Sequence, residues 1–228
     1  MDVDGVLLDL GGTLIWPEPA AEMLFCEASQ LIGFQVTPID LLRVSAEVDQ
    51  QIYVPLPISR NQEADFFAYG NMMVLRKLGF EATLSHGWFI YHYVADRIHY
   101  HKFYDVDIVL SSLRTAGLCL ALVSNAVPST RDRIRNLGLE PYFDAILLSG
   151  EVGFEKPGPE IFLEALEELN MVPTEVVHVG DNYTSDVRGA QKAGIPAVLL
   201  DRTGRYLDVD CITVRNLTEF QELIHIQK

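Results

Sequence analysis

Short apolar runs alternate with amphipathic segments along the second half of the chain. Four of these runs are apolar at nearly every position: residues 118–124, 145–149, 175–181 and 197–201. Such continuous runs are typical of strands that are buried on both faces of a parallel sheet. The segment after Pro159 has apolar residues at helical spacing, which predicts a helix between two of the strands. The pattern therefore predicts an α/β fold, with a Rossmann-like, doubly wound parallel sheet.

Residues 17–103 follow a different pattern. Helical periodicity predicts four successive helices without a convincing strand between them, at residues 19–33, 38–53, 61–79 and 85–101. A further strand is predicted at residues 5–9, and its parallel partners all come after this helical block. We therefore predict an α/β core domain of residues 1–16 and 104–228, into which an all-helical domain of residues 17–103 is inserted.

The charge balance limits the class of ligand. The 228 residues include 17 Lys and Arg against 32 Asp and Glu, which gives a formal net charge of -15. A surface of this charge repels nucleic acid and anionic membranes, so we expect neither as a partner. A phosphate-bearing ligand would then need a local device, such as a bound cation or a phosphate-binding loop.

The cysteines and the N-terminus bear on the compartment. Cys26, Cys119 and Cys211 form an odd, scattered set, which argues against a disulfide framework. We interpret them as core thiols of a protein in a reducing compartment. The acidic N-terminus lacks the features of a signal peptide, and no apolar run approaches the ~20 residues that span a bilayer. These features predict a cytoplasmic protein.

Polar residues follow the apolar runs at four places. These are Asp9, the pair Ser124 and Asn125, the loop that contains Lys156, and Asp181. Ligands of open parallel sheets bind beyond the carboxyl ends of the strands. We therefore expect these side chains to meet at one edge of the sheet.

The N-terminal segment offers two candidates for a reactive carboxylate loop. Asp2 and Asp4 have almost no chain before them, so no strand can lead into Asp2. The apolar residues 6–8, in contrast, lead directly into Asp9. We therefore select Asp9 and interpret the two earlier acids as solvated residues at the start of the chain.

Four segments occur in an order that resembles the motifs of a known family. They are DLGGTL at residues 9–14, LVSNA at 122–126, EKPGPEIF at 155–162 and GDNYTSDVRGAQKAG at 180–194. Together they resemble the four motifs of the haloacid dehalogenase superfamily, and the helical block resembles its C1-type helical cap. The resemblance covers nearly the whole chain and implies a hydrolase of the phosphatase-like subgroup.

The resemblance implies a nucleophile and a metal site. Asp9 would attack phosphorus and form an aspartyl-phosphate. Mg²⁺ prefers oxygen ligands, and it would be held by Asp9, the backbone carbonyl of Gly11, Asp181 and Asp186. The implied cofactor is therefore Mg²⁺.

The resemblance also implies a phosphate-binding site. Ser124 and the backbone N–H groups of Asn125 and Ala126, which precede a predicted helix at Pro128, would donate to the phosphate oxygens. Lys156 would balance the charge that builds up on the transferred group and on the nucleophile.

The motifs depart from the phosphatase pattern at Gly11. The similar phosphatases carry an aspartate at this position, which protonates the leaving oxygen and then activates water. Such general acid–base help contributes about 10²- to 10⁴-fold. We therefore expect a slowed phosphatase that acts on a small phosphorylated metabolite, as a monomer or a homodimer.

Three alternatives stay open. A catalytically impaired relative would bind a phosphorylated metabolite or a protein partner, and Gly11 is its best support. A 2-haloacid dehalogenase needs no metal, but its fourth motif resembles Ser-Asn where this chain has GDN at 180–182. A phosphonate hydrolase would use a lysine of the helical domain for a Schiff base, and residues 17–103 contain only Lys77 and Lys102.

Several candidate residues have plainer structural explanations. Ser185 or Asp186 can cap a helix predicted over residues 187–194. His178, inside an apolar strand, is interpreted as a packed core residue. His92 and His99 would share a helix face but lack the further ligands of a zinc site, so we interpret them as surface or substrate-facing residues. A stripe at residues 88, 91, 95 and 98 is interpreted as core or dimer contact.

Overall fold

The structure is a computed structural model, and it describes residues 1–41, 43–44 and 59–224. The strands are, in chain order, β1 (Gly5–Leu8), β2 (Ile15–Glu18), β3 (His99–Lys102), β4 (Cys119–Ser124), β5 (Ala145–Leu148), β6 (Val176–Gly180), β7 (Ala197–Leu200) and β8 (Ile212–Val214). The helices are α1 (Ala21–Leu31), α2 (Arg60–Lys77), α3 (Leu84–Ala95), α4 (Val106–Thr115), α5 (Thr130–Asn136), α6 (Ser149–Val152), α7 (Glu160–Leu169), α8 (Gly189–Lys192) and α9 (Leu217–Leu223). Short 3₁₀ turns occupy Glu140–Tyr142 and Pro173–Glu175, and a π-helical turn occupies Tyr183–Arg188.

Six of the described strands form one sheet, in the order β5-β4-β1-β6-β7-β8. All of its strand pairs are parallel. Every residue of β1 and β6 is buried, which explains why their sequences are almost entirely apolar. The predicted parallel α/β fold is confirmed. The edge strand β8 was not predicted, because two of its three residues are exposed and its apolar pattern is weak.

The register of the three central strands decides where the polar residues lie. Leu8 of β1 pairs with Leu122 of β4 and with Val179 of β6. The residues that follow these strands therefore reach the same edge of the sheet. Asp2 and Asp4 precede β1 and are exposed, so they lie at the opposite edge from Asp9.

Helix α7 shows how the amphipathic segments cover the sheet. It begins at Glu160, directly after Pro159, as predicted. Its buried residues are Ile161, Phe162, Ala165 and Leu166, which pack on residues of β1, β4 and β5. Burial of a Phe or Leu side chain of this kind stabilises a fold by about 1.5–3 kcal/mol.

The chain divides into two compact units. One comprises Met1–Trp16 with Lys102–Lys228, and the other comprises Pro17–His101. The second unit contains α1, α2 and α3, and residues 38–41 and 43–44 are also helical. The rest of the helix predicted over residues 38–53 lies outside the described residues.

The helix predicted over residues 85–101 is wrong in its second half. Helix α3 ends at Ala95, and residues 99–102 form β3, which pairs with β2 in a two-stranded sheet. Burial alternates along β3, which is the period of a half-buried strand and not of a helix. His92 and His99 therefore do not share a helix face.

Helices α2 and α3 cross at Gly87. A Cβ at this position would lie 1.9 Å from the carbonyl oxygen of Ala68, so only glycine lets the two backbones approach this closely. The fully buried residues of α3 are Gly87 and Ile90. The stripe predicted as core at residues 88, 91, 95 and 98 is half-buried or exposed instead, because the helix turns its glycine face inward.

Two further expectations can be compared with the structure. Among the described helices, none combines the length and the apolar character needed to cross a bilayer. All three thiols are free, but only Cys26 is fully buried, while Cys119 and Cys211 are half-buried. The interpretation as core thiols therefore holds for the first cysteine alone.

Candidate active site

Three aspartates meet at the carboxyl edge of the sheet. Asp9 follows β1, Asp181 follows β6, and Asp186 lies in the π-helical turn. Each offers a carboxylate oxygen, and these oxygens lie within 4.8 Å of one another. Asp9 is 6% exposed and Asp186 is 1% exposed. Because like charges this close disfavour ionisation, the cluster is a candidate functional site.

Lys156 supplies a positive charge to the cluster. Its Nζ donates to Asp9 Oδ1 at 2.7 Å and to Asp186 Oδ1 at 2.6 Å. The lysine side chain is 2% exposed and comes from the loop between α6 and α7. The structure thus brings together four of the side chains that the sequence analysis selected: Asp9, Lys156, Asp181 and Asp186.

The Asn125 side chain clamps the lysine loop. Its Nδ2 donates to the carbonyl oxygen of Lys156 at 2.7 Å, and its Oδ1 accepts from the backbone N–H of Lys156 at 2.7 Å. The amide is therefore engaged with protein, and only the backbone N–H of Asn125 stays a candidate for phosphate binding. The clamp explains how two loops more than one strand apart hold Lys156 at Asp9.

Internal bonds occupy part of the expected phosphate loop. The backbone N–H of Ala126 donates to Ser149 Oγ at 2.9 Å, so the prediction of a free donor there is wrong. Helix α5 begins at Thr130 and not at Pro128, because the intervening residues form a turn closed by Thr130 N–H on Val127. Ser124 ends β4 and is buried at the same edge as Asp9.

The turn after β6 is capped by Asn182. The side chain of Asn182 accepts from the backbone N–H groups of Thr184 and Ser185, so the caps predicted at Ser185 or Asp186 are wrong. Because the cap comes earlier, Asp186 lies on the inner side of the turn. Its Oδ2 accepts from Asn182 N–H at 2.9 Å, and its Oδ1 accepts from Lys156.

Two glycines allow the loops to approach the carboxylates. At Gly12, which has a φ of +74°, a Cβ would lie 2.5 Å from Asp181 Oδ2. At Gly180 a Cβ would lie 2.2 Å from Asp186 Cγ. A side chain at either position would displace a carboxylate of the cluster.

Two carboxyl groups of the cluster are shifted toward the neutral form. Burial raises the pKa of Asp9, with a further rise from the charge of Asp186, although Lys156 opposes the change. Burial and the charges of Asp9 and Asp186 raise the pKa of Asp181 to about 6. Both shifts indicate that the cluster lacks positive charge.

Lys156 and Asp186 are held in their charged forms. Burial disfavours a charged Lys156, but the charges of Asp9 and Asp186 outweigh it and raise the lysine pKa. Burial also disfavours a charged Asp186, but Lys156 and a hydrogen bond from His178 outweigh it and lower the pKa of this carboxyl. Lys156 is therefore a fixed positive charge and not a base.

Arg205 is a second cation at the cluster, and the sequence analysis missed it. Its Nη2 donates to Asp181 Oδ2 at 2.9 Å and to the Asp181 carbonyl oxygen at 2.8 Å. It lies in a loop whose backbone N–H groups at residues 204–206 donate to the Asp201 carboxylate. Because the arginine side chain is 51% exposed, this pair contributes about 1 kcal/mol or less.

His178 contacts the cluster as well as the core. It is fully buried in β6, and its ring meets the Phe162 ring edge-on, in agreement with the packing prediction. Its Nε2 also lies 3.2 Å from Asp186 Oδ1. The available signal was a polar residue inside an apolar strand, three positions before Asp181.

The donor set fits a hard divalent cation. Asp9, Asp181 and Asp186 offer only oxygen ligands, the type that Mg²⁺ prefers. Their three charges face one buried ammonium, and a divalent ion would relieve the imbalance that raises the pKa of Asp9 and Asp181. These three aspartates are the residues that could hold it.

A parallel sheet that ends in a carboxylate cluster and a buried lysine defines a class of hydrolase. Residues 3–194 match the family model described as haloacid dehalogenase-like hydrolase. The chain belongs to this family, and the resemblance indicated by the four sequence motifs is confirmed.

The chain is similar to phosphatases among curated proteins. A phosphoserine phosphatase from Thermus thermophilus is 42% identical over 108 residues, which are 47% of this chain and 43% of that protein. A glyceraldehyde 3-phosphate phosphatase from Methanothermobacter thermautotrophicus is 27% identical over 203 residues, which are 88% of this chain and 83% of that protein. The match to the first relative therefore spans less than half of its length.

A solved structure shares the fold. The HAD-hydrolase YfnB from Bacillus subtilis, whose structure contains magnesium, has a TM-score of 0.74 at 21% sequence identity. The match covers 98% of this chain and 99% of that one. At this identity the likeness shows the fold alone.

Proposed function

We propose that this chain is a Mg²⁺-dependent phosphatase that cleaves a small phosphorylated metabolite through an aspartyl-phosphate on Asp9. The observation that carries the proposal is the contact of Lys156 with both Asp9 and Asp186, next to a third carboxylate at Asp181. The phosphatase names of the relatives support the same reaction class.

Four groups would hold the metal. They are the carboxylates of Asp9, Asp181 and Asp186 and the backbone carbonyl of Gly11. When bound, Mg²⁺ would offset the repulsion between the nucleophilic carboxylate and the phosphate dianion.

Asp9 supplies the nucleophile. One of its carboxylate oxygens forms a bond to phosphorus while the bond from phosphorus to the leaving oxygen breaks. Lys156 balances the negative charge of the phosphoryl group, and Ser124 donates a hydrogen bond to it. Water then attacks phosphorus in the aspartyl-phosphate, which releases phosphate and restores the carboxylate.

Gly11 sets the speed of this reaction. Without a carboxylic acid at this position, the leaving oxygen takes its proton from water. We therefore expect a rate about 10²- to 10⁴-fold below that of a chain with an acid there. Esters with stable leaving groups lose the least.

p-Nitrophenyl phosphate tests the proposal, because its leaving group needs little acid help. We expect release of p-nitrophenol that depends on Mg²⁺ and stops when a chelator is added. Asp9→Asn is expected to lower kcat by at least about 10³-fold. Asp4→Asn is the matched control, since this exposed acid lies at the other edge of the sheet. Full activity of Asp9→Asn would rule out Asp9 as the nucleophile.

A binding protein is the second candidate, and Gly11 is the observation that favours it. Such a protein would bind inorganic phosphate in the presence of Mg²⁺ but release no p-nitrophenol. Calorimetric binding of phosphate without turnover would support this candidate. Turnover of p-nitrophenyl phosphate would support the phosphatase.

The charge of the cluster disfavours the other two alternatives. A metal-free dehalogenase would keep Asp9, Asp181 and Asp186 around one buried ammonium. A phosphonate hydrolase would need a free lysine amine, but Lys102 donates to Asp107 at 2.7 Å.

We infer a small set of partners. The formal charge of -15 disfavours nucleic acid and anionic membranes, which leaves the phosphorylated substrate and, in a homodimer, a second copy of the chain. The free thiols fit a reducing, cytoplasmic compartment.

A further inference from the structure

His178 is a buried polar residue that the proposed reaction does not yet use. It lies in the middle of β6 and is 0% exposed. One side of its environment is apolar, since the Phe162 ring centroid lies 5.0 Å from the imidazole centroid at an angle of 83°. On the other nitrogen's side, Nε2 lies 3.2 Å from Asp186 Oδ1.

The second ring nitrogen indicates which tautomer is present. Nδ1 is buried and has no hydrogen-bond partner among the described residues. A proton on Nδ1 would bury an N–H without an acceptor and would aim the Nε2 lone pair at a carboxylate oxygen. A proton on Nε2 avoids both penalties, because the N–H then donates to Asp186.

Asp186 is thus held by three donors. Its Oδ1 accepts from His178 Nε2 and from Lys156 Nζ, the latter at 2.6 Å, and its Oδ2 accepts from Asn182 N–H at 2.9 Å. Lys156 is shared, because its Nζ also donates to Asp9 at 2.7 Å. The orientation of the Asp186 carboxylate therefore influences where the ammonium lies relative to the nucleophile.

We propose that His178 is a positioning residue for the reaction: its Nε2–H holds the Asp186 carboxylate in the orientation that keeps Lys156 against Asp9. This inference rests on the proposed phosphatase function. Without the imidazole donor, the Asp186 carboxylate can rotate about its Cβ–Cγ bond, and the ammonium moves with it. The loss falls on the charge balance at the phosphoryl group, so it lowers kcat more than it changes KM.

Two variants separate this role from packing. His178→Leu keeps an apolar contact with Phe162 but has no donor, whereas the Gln Nε2 of His178→Gln can reach the position of the imidazole Nε2. With p-nitrophenyl phosphate and saturating Mg²⁺, we expect His178→Leu to lower kcat about 10-fold with KM changed less than about 2-fold. We expect His178→Gln to recover most of kcat. Equal losses in both variants, or no loss in either, overturn the proposal.

A readout that needs no activity uses the metal-free wild-type protein labelled with ¹⁵N-histidine. Long-range ¹H–¹⁵N correlations show which ring nitrogen of His178 carries a proton, and the spectrum of His178→Gln assigns the signal by difference. A protonated Nε2 supports the proposal, and an unprotonated Nε2 overturns it. If the wild-type chain hydrolyses no phosphate ester, the proposed function fails, while this spectrum still decides the contact between His178 and Asp186.

Discussion

Gly11 and Gly12 are neighbours in the loop after β1, but they differ in their tolerance of a side chain. Gly12 has a positive φ, and its Cα lies against the Asp181 carboxylate. Gly11 has no positive φ, and a Cβ there would meet nothing within 4 Å. The position that lacks the expected acid therefore has room for one.

This difference predicts a gain of activity. We expect Gly11→Asp to raise kcat on alkyl phosphates about 10²-fold, because the new carboxyl can protonate the leaving oxygen, and to raise kcat on p-nitrophenyl phosphate much less. Gly11→Asn is the control of equal size without an acid. Equal gains in the two variants, or no gain in either, would contradict the assigned chemistry.

The raised pKa of Asp181 connects this residue to stability. Its pKa is about 6 in the folded chain against an ordinary value of 3.8. Above pH 6 the folded state holds a charge that it disfavours. Below pH 3.8 the group is protonated in both states, so the penalty is lost as the pH falls from 6 to 4.

Asp181→Asn removes this penalty. We expect it to raise the free energy of unfolding of the metal-free protein by about 1–2 kcal/mol at pH 7.5 and by almost nothing at pH 4. Urea unfolding in a chelator, with Asp4→Asn as the reference variant, measures the difference. A gain at pH 4 as large as that at pH 7.5 would show that the charge is not the cause.

At the scale of elements, the crossing of α2 and α3 depends on Gly87. We expect Gly87→Ala to lower the free energy of unfolding by about 3 kcal/mol, because the new methyl group must push the backbone of Ala68 away. Gly70→Ala, in the same helix as Ala68, has open space around its Cβ and is expected to stabilise by about 0.5–1 kcal/mol. Thermal and urea unfolding check both, and a loss of stability in Gly70→Ala would show that local space does not decide the outcome.

A buried ion pair links four further segments. The Asp105 carboxylate, at the start of α4, accepts from Arg202 at 2.9 and 3.0 Å and from the backbone N–H of Leu217 at 2.7 Å. Arg202 also donates to the carbonyl oxygen of Thr13 at 2.9 Å, four residues after Asp9. The pair thus ties the loop after β1 to α4, to the loop after β7 and to α9.

Arg202→Met tests this link. Because it leaves a buried carboxylate without its partner, we expect a loss of about 3–5 kcal/mol in urea unfolding. Arg205→Met removes an exposed pair with Asp181 and is expected to change the free energy by less than about 1 kcal/mol. Similar values for the two variants would argue against a special role of the buried pair.

At the scale of the whole molecule, metal binding and folding are linked. A ligand that binds only the folded state stabilises by about 2.7 kcal/mol at 100 times its dissociation constant. We expect Mg²⁺ to raise the melting temperature of the wild type by roughly 5–10 °C and to raise that of Asp181→Asn far less. NaCl at equal ionic strength is the control, and an equal shift with NaCl would contradict a specific site.

Much of the fold could be predicted because the central strands are buried on both faces. The strands that contain Leu8, Leu122 and Val179 need apolar residues at consecutive positions, and that pattern is visible in one sequence. The strand at residues 99–102 and the edge strand at residues 212–214 could not be predicted in this way. They are short and half exposed, so few of their positions need to be apolar.

The sequence by itself determined the order of the buried strands and the polar residues that follow them, Asp9 and Asp181 among these. The physical reason is local, since burial of a strand constrains each of its residues and ends at the first polar one. Only the tertiary structure decided which groups meet: the clamp of Asn125 on Lys156, the cap at Asn182 and the contact of His178 with Asp186. These contacts depend on distances across the folded chain, and a local pattern contains no such distances.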